Sequence, residues 1–566
     1  IIMDLYTRTR FNKAPTISKG RTRFDLSHSI LTSFNTGEFV PVFCEPVYPS
    51  ETHSLKTSSL TRLETSLHQT MDNAYVEFAF FFVPDRIIWN DFEKFMGAND
   101  DPWTQTTEYS IPQIKMTGLS GPTTVSVGSL LHHLMVPAGT YGSGSSAPYL
   151  EVDQRPLRCV FQVYSDWYRD ENYDSIIYYN KASADRYLYD SYLFNGSFFT
   201  PHSSMLKVNR LKDVFSTALP APQKGDAVSF GITGIAPIIA SSNPLVASSS
   251  VGDVPSTTQP LHFERDTIGT GSIAIPGKLV GYNSQSGDDG DTAVSFNVDA
   301  LKADLSQASA VTINQLRLAI SAQAIAERNA RGGTRMKERI YATWNVDCAD
   351  LPLDRSEFLG GKRFPVSMME VLQTSETGTT VLGSDAGHSK TTDSSESFVR
   401  SFTQYGWILG FMYIRTARSY SQGIDRKFRN KTVYDLYDPM LDNIGELPVL
   451  KQELYALNTS NSTNVGYANE VFGYQEAWYH LKERTNRFSG YFQPSVSGTL
   501  DSWHYGDDYS SYPTASASWL KEGASLVDRT IAVSSNASFQ WTANVYFEYY
   551  ATRTMAKYSI PNTFGF

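Results

Sequence analysis

The sequence predicts a mainly β fold interrupted by a few short helices. Three observations carry that expectation. The apolar runs are strand-length, as at Phe78 to Val83 and Trp407 to Met412. Near the C-terminus Ala537, Phe539, Trp541, Ala543, Val545, Phe547 and Tyr549 alternate with Ser538, Gln540, Thr542, Asn544 and Glu548. A sustained period of two is the mark of a half-buried strand. Finally, 13% of the residues are aromatic in a chain only 19% charged, which excludes a disordered polymer.

In chain order, the first 23 residues carry Arg8, Arg10, Lys13, Lys19, Arg21 and Arg23 against the single acid Asp4. Without periodicity, they read as an extended basic arm. Phe39 to Phe43 is short and apolar and holds Pro41, which cannot donate to a ladder and so suits an edge or a strand start. Tyr75 to Val83, ended by Pro84, and Tyr405 to Arg415 read as strands buried on both faces. Asp85 is placed to cap a helix with Ile88, Trp89, Phe92, Phe95 and Met96 on one face, stopped by Gly97. A second helix starts after Asp153 with Pro156 in its first turn and puts Val160, Val163, Tyr164, Trp167 and Tyr168 on one stripe. In a third, Thr312 and Gln315 form a capping box, Ile313, Leu316, Ile320 and Ala324 line one face, and Gly332-Gly333 ends the run. Helices this sparse do not make the βαβ alternation of a doubly wound sheet. No repeat at a fixed 20–50 residue period supports a solenoid or propeller.

From Asp226 to Asn297 the texture changes. Ser, Gly, Ala, Ile and Pro dominate, and Arg265 and Lys278 are its two basic residues. The Ile and Val content reads as a folded, β-rich surface insertion. A second loop-rich zone runs from Gln105 to Leu150. Length alone, 566 residues, suggests three or four domains at ~150 residues each.

Several function classes lose support. No stretch approaches the ~18–20 uncharged apolar residues of a membrane helix, so no membrane insertion is expected. The N-terminus lacks the apolar core of a signal peptide. Cys44, Cys159 and Cys348 are too few and too scattered for a disulfide framework or a zinc site. A Gly-Lys pair at 277–278 misses the phosphate-loop pattern at Ser272 and Leu279. His132 and His133 read as loop or strand-end residues pointing to opposite faces, and Asp288-Asp289-Gly290-Asp291 lacks the spacing of a calcium loop. No metal and no cofactor are expected.

No nucleophile elbow is present. Glu470, Glu476, Asp501, Asp507 and Asp508 lie among aromatics, as glycosidase carboxylates do, and equally as rim and hydrogen-bonding groups do. The expectation is a protein that is not an enzyme. The net charge of −10, from 48 basic and 58 acidic residues, opposes nucleic-acid binding by the bulk surface. The arm is different: six cations with Phe11 and Phe24 nearby suit phosphates and unstacked bases. A solvated tail, or an arm on an acidic neighbouring subunit, fits the same residues.

Longer strings carry more information. The segments RFDLSHSILTSFNTGEFVPVFCEPVYPSET (23–52) and MDNAYVEFAFFFVPDRIIWNDFEKFMG (71–97) resemble the major capsid proteins of the Microviridae, small icosahedral single-stranded DNA phages, in their gokushovirus-like branch. The likeness recurs in LRCVFQVYSDWYRDEN (157–172), FSTALPAPQKG (215–225), TINQLRLAISAQAIAERNARGGTRMKE (312–338) and EFLGGKRFPVSMMEVLQTS (357–375). SYSQGIDRKFRNKTVYDLYDP (419–439), VFGYQEAWYHLKERTNRFSGYF (471–492) and LDSWHYGDD (500–508) complete the family's order.

The resemblance implies a single eight-stranded antiparallel jelly roll, the viral capsid β-sandwich, with long loop insertions and a few short helices. It lays the chain out as a basic arm (1–23), a first part of the jelly roll (24–225), a surface-projecting variable insertion (226–297) and a second part with the C-terminal strand (298–566). It also implies self-association into a sixty-copy T=1 shell around circular single-stranded DNA, assembled in the cytoplasm of a bacterial host as part of the virion. Arg8, Arg10, Lys13, Lys19, Arg21 and Arg23, with Arg553 and Lys557 near the C-terminus, become candidates for the DNA-facing inner surface. The partners implied are other copies of the chain, the packaged DNA, a small basic DNA-binding virion protein, a pilot protein, an internal scaffolding protein and a host surface receptor. The insertion is expected to contribute to host recognition or to contacts on the shell exterior. The competing reading is a secreted or surface β-rich carbohydrate-binding protein or glycoside hydrolase.

Overall fold

The computed structural model describes residues 20–98, 109–118, 121–142, 150–226, 313–372, 374, 385–457, 462–494, 496–532 and 539–558, and the backbone of four short strands between 238 and 303. The chain divides into two compact units, Gly225–Ala326 and the remainder. The smaller unit begins one residue before the expected insertion and extends past its expected end. Within it, Ile238–Ala240 pairs antiparallel with Leu301–Ala303, and His262–Phe263 with Leu279–Val280.

The larger unit is built on two antiparallel sheets. In the first, β1 (Thr22–Asp25) and β2 (His28–Phe34) both pair with β9 (Trp541–Arg553), followed by β4 (Thr52–Leu63) and β7 (Thr391–Ser401). In the second the order is β6 (Glu357–Pro365), β5 (Ala74–Pro84), β8 (Gly406–Thr416) and β3 (Val40–Val47). The Leu26 N–H still reaches the Tyr549 carbonyl across the gap between β1 and β2, which together form one interrupted strand. Counted so, the first sheet runs first–eighth–third–sixth and the second runs second–seventh–fourth–fifth. Every connection except fourth to fifth therefore crosses between sheets, and that is the jelly-roll arrangement. β6 and β3 are the edges, the second of which fits Pro41 and the register shift opposite it between Gly410 and Phe411.

The sandwich core joins Phe34, Leu55, Trp541, Val545 and Phe547 of one sheet to Val76, Phe78, Phe80, Phe82, Ile408 and Met412 of the other. A second core lies on the outer face of the second sheet, where Ala79, Phe81, Val83, Leu409 and Phe411 meet helix α1 (Arg155–Val163) through Leu157, Val160 and Phe161. β5 and β8 thus bury alternate side chains in two different cores, which is why their sequences are continuously apolar. The segments between β5 and β6 and between β8 and β9 supply nearly all the remaining structure.

The helices depart from expectation in three ways. The stretch after Pro84 is two short turns, Asp85–Ile88 and Phe92–Phe95, broken where Trp89 is extended (φ −141°, ψ 110°). Asp85 makes no side-chain cap because its carboxylate faces Arg155 at 3.2 Å, while the Trp89 indole donates to Ser183 Oγ at 2.7 Å. The expected apolar stripe of α2 (Ile313–Arg331) is exposed at Ile313, Leu316 and Ile320, so amphipathic spacing there does not mark an intrachain core. His132 and His133 sit on a helical turn, Leu130–His133, because Ser129 Oγ accepts the His132 N–H at its start. α1 does carry Pro156 in its first turn, as expected, and runs on into a π turn, Tyr164–Tyr168, that places Tyr168 against Phe39 and Trp167 against Phe81.

At β9 the buried set is Trp541, Ala543, Val545, Phe547 and Tyr549 as expected. Ala537 and Ser538 lie outside the described residues, and Gln540, expected outward, is fully buried before the strand begins. Its amide is occupied on both sides: Oε1 accepts the Thr36 N–H at 2.9 Å, and Nε2 donates to the Ala524 carbonyl at 2.7 Å.

Candidate functional site

Of the eight basic residues singled out by sequence, Arg8, Arg10, Lys13 and Lys19 lie outside the described residues, as does the acidic turn Asp288–Asp291. The other four lie at β1 and at the end of β9. Arg21 Nη2 donates to Thr52 Oγ1 at 2.6 Å, and the Arg23 guanidinium stacks 3.9 Å over the Tyr550 ring of β9. The described start of the chain therefore lies beside the end of β9, with Thr22 opposite Arg553 and Lys557 four residues on. Arg553 is mostly buried, with Nε 3.1 Å from Glu51 Oε1, an ionic approach too poorly aligned for a hydrogen bond. Lys557 is exposed, its ammonium 5.7 Å from the Tyr558 ring centroid. Four of the candidate cations are thus gathered at one end of one sheet.

That end holds a buried polar cluster that the sequence did not announce. His53 on β4 is fully buried; its Nδ1 is 2.7 Å from the Tyr549 hydroxyl and its Nε2 3.0 Å from Glu51 Oε2. Burial, reinforced by the charge of Arg553, pushes the His53 imidazole down to about 4. Burial likewise raises Glu51, against the opposing pull of the Tyr48 N–H and Arg553. The pair sits two residues apart on one strand face, the only local signal that would have drawn attention to it.

The acids read as possible cleft carboxylates are mostly occupied. Glu470 meets Lys451 at 2.6 Å and Glu476 meets Lys482 at 2.6 Å. Asp508 Oδ1 accepts the Gln422 amide at 3.0 Å, and Asp501 begins a 3-10 turn. Asp507 is buried in an ionic hub. Its Oδ1 accepts Arg418 Nη1 at 2.8 Å and its Oδ2 accepts Arg210 Nη1 at 3.2 Å, while Arg418 Nη2 donates to Glu522 Oε2 at 2.8 Å. Burial pushes Asp507 up, but Arg418 and Arg210 outweigh it and hold the carboxyl below its ordinary range. The hub ties the end of β8 to both long insertions. Its members lie at 210, 418, 507 and 522, so no local pattern could have grouped them. The geometry is that of a staple, with each acid committed to a structural cation.

A shallow cleft of about 620 Å³ lies elsewhere, lined by Gln162, Asp166, Lys181, Arg335 and Arg355 among others. Its cations are largely spoken for: Arg335 pairs with Glu171 at 2.5 Å and Arg355 donates to the Asp166 carbonyl at 2.7 Å. No helix among the described residues is long and apolar enough to cross a membrane.

The family described as capsid protein (F protein) matches residues 12–563. Capsid protein VP1 of Spiroplasma virus 4 is 34% identical over 558 residues, covering 96% of this chain and 95% of that one. Capsid protein VP1 of Bdellovibrio phage phiMH2K is 30% identical over 562 residues, 98% of each chain. The VP1 of Chlamydia phage 1 is 29% identical over 612 residues, 98% of this chain and 97% of its own.

Proposed function

The chain belongs to the capsid protein (F protein) family, and from that premise we propose that sixty copies close a T=1 shell around a circular single-stranded DNA genome. Its role is structural, as a major capsid protein of the Microviridae type. The observation that carries the proposal is the pair of facing sheets in jelly-roll order, on a chain that the capsid family matches over residues 12–563. A sandwich that satisfies its own core leaves its long insertions free to make the contacts between subunits. Sixty copies of 63.2 kDa come to about 3.8 MDa. Electron micrographs and light scattering of the purified assembly test this; a monomer or small oligomer overturns it in favour of the carbohydrate-binding or glycosidase reading.

In this reading the chain has no catalytic activity and resides in the virion after assembly in the bacterial cytoplasm. The basic arm, with Arg8, Arg10, Lys13, Lys19, Arg21 and Arg23, faces the genome, and Lys557 and Arg553 sit beside its exit. Arg553 contributes least, since Glu51 already neutralises it. A small basic virion protein shares the neutralisation, and pilot and internal scaffolding proteins join during assembly. Deleting residues 1–23 is expected to lower DNA content or particle yield; unchanged filled particles count against the arm. The insertion at 226–297 serves attachment to a host surface receptor. Replacing it with a short linker is expected to spare assembly and alter adsorption.

A further inference from the structure

The segment from Ile424 to Ile444, which follows β8 and the short paired stretch Ser419–Tyr420, has an unusual construction. Three 3-10 turns, Arg426–Phe428, Val433–Asp435 and Pro439–Leu441, follow one another with no strand pairing. Its start is held by the Ile424 N–H donating to the Gln452 carbonyl and Arg426 Nη1 to the Pro448 carbonyl, each at 2.9 Å, and beyond that short-range polar bonds fix its path. The Lys431 and Thr432 N–H groups and the Thr432 hydroxyl all donate to Asp435 Oδ2 at 2.8–3.0 Å, and the Met440 N–H donates to Asp438 Oδ1 at 2.8 Å. The Trp478 indole anchors its far end through the Leu441 carbonyl at 2.9 Å. The segment is therefore shaped by its polar groups while its apolar side chains point outward.

Phe428, Val433, Tyr434, Leu436, Tyr437 and Met440 are all exposed, Tyr434 by 80% and Met440 by 93%. Together they leave on the order of 800 Å² of largely apolar surface open, which is what one partner contributes to a stable interface. Isolated subunits rarely carry so much uncovered apolar area in one short stretch without a use for it. Charge selects the kind of partner. Asp425, Asp435, Asp438 and Asp442 balance Arg426, Lys427, Arg429 and Lys431, so the segment is neutral and has no net attraction for phosphates.

We propose that residues 424–444 form a preshaped arm that seats on a second copy of this chain, with Tyr434 and Met440 as its anchors. The proposal rests on the capsid reading and deepens it by naming a contact. Holding the arm's shape by local turns lowers the ordering cost of docking, as preorganisation does in other interfaces.

Hydrogen exchange of the unmodified protein tests this directly. The free amides of 424–444 are expected to exchange at least ten-fold slower in particles than in dissociated subunits, and alike in filled and empty particles. Equal rates in particle and subunit overturn the proposal, and protection confined to filled particles overturns it in favour of nucleic acid. The double variant Y434D/M440D is expected to melt as the wild type does and to give at least ten-fold fewer particles; wild-type yield overturns the proposal. If the wild-type chain forms no shells in micrographs, the capsid reading itself fails, a result distinct from wild type and variant assembling equally well.

Discussion

β8 and the segment that follows it lie close together in the chain, and both are rich in large apolar side chains, yet they have opposite fates. In β8 the backbone is paired on both sides, to β5 and β3, and Ile408, Leu409, Phe411, Met412 and Ile414 are all buried in one of two cores. In 424–444 the backbone bonds close over three residues, as from the Phe428 N–H to the Asp425 carbonyl, and the apolar side chains face out. Composition alone does not separate the two. The separating feature is the unbroken apolar run: β8 has no charge between Gly406 and Ile414, whereas 424–444 carries one every few residues. Apolar residues embedded among ions and turn formers mark a surface reserved for another molecule.

The sharpest way to break this contrast is at the junction between the two regions. Arg418 stands just beyond β8 and is enclosed by Asp507 and Glu522. Arg418→Met keeps the volume, leaves the buried Glu522 without a cation and Asp507 with Arg210 alone, and is expected to cost about 3–5 kcal/mol. Urea unfolding of the dissociated subunit measures it. A cost under ~1 kcal/mol assigns the hub to the weak class of surface ion pairs. Phe80→Ala empties the centre of the sandwich, where the ring meets Phe43 and Phe398, and is expected to cost about 3–5 kcal/mol by the same assay.

Acid separates the regions next. His53 is pushed down to about 4 in the folded chain against 6.5 ordinarily, so the unfolded chain binds more protons between those values. Stability is therefore full above about pH 6.5 and falls as pH drops toward 4, by about 3 kcal/mol at most. Glu51 titrates in the opposite sense, because burial raises it and favours its protonated form in the fold, and this reduces the loss near the lower end. His53→Gln is expected to flatten the slope between pH 6.5 and 5. An unchanged slope traces the acid response to other groups.

How much of this was legible in sequence follows from the range of the forces involved. β5, β8 and β9 declare themselves because burial on two faces or one imposes a local pattern. α1 is legible through Pro156. The break at Trp89 is not, since it depends on Ser183 and Arg155 arriving from another element. The exposed stripe of α2 misleads because amphipathic spacing does not require the apolar face to meet the rest of the same chain. The strand order came from the family resemblance, and the ionic hub and the His53 cluster were invisible because their members meet only after the sheets have formed.

The smallest expected effect is the most discriminating. Tyr434→Ala removes a large aromatic ring from a segment that contributes no buried side chain between Ile424 and Ile444. A core ring of that size would cost several kcal/mol, as at Phe80. Here the ring is 80% exposed, so the subunit should unfold within about 0.5 kcal/mol of wild type. A measured loss above ~1 kcal/mol would mean that the ring supports the fold of its own chain, and the contrast with β8 would shrink to one of degree. A null result on the subunit, set beside a loss in particle yield, places the energy of Tyr434 between chains, because a residue that stabilises no monomer can matter to assembly only through the neighbour it touches.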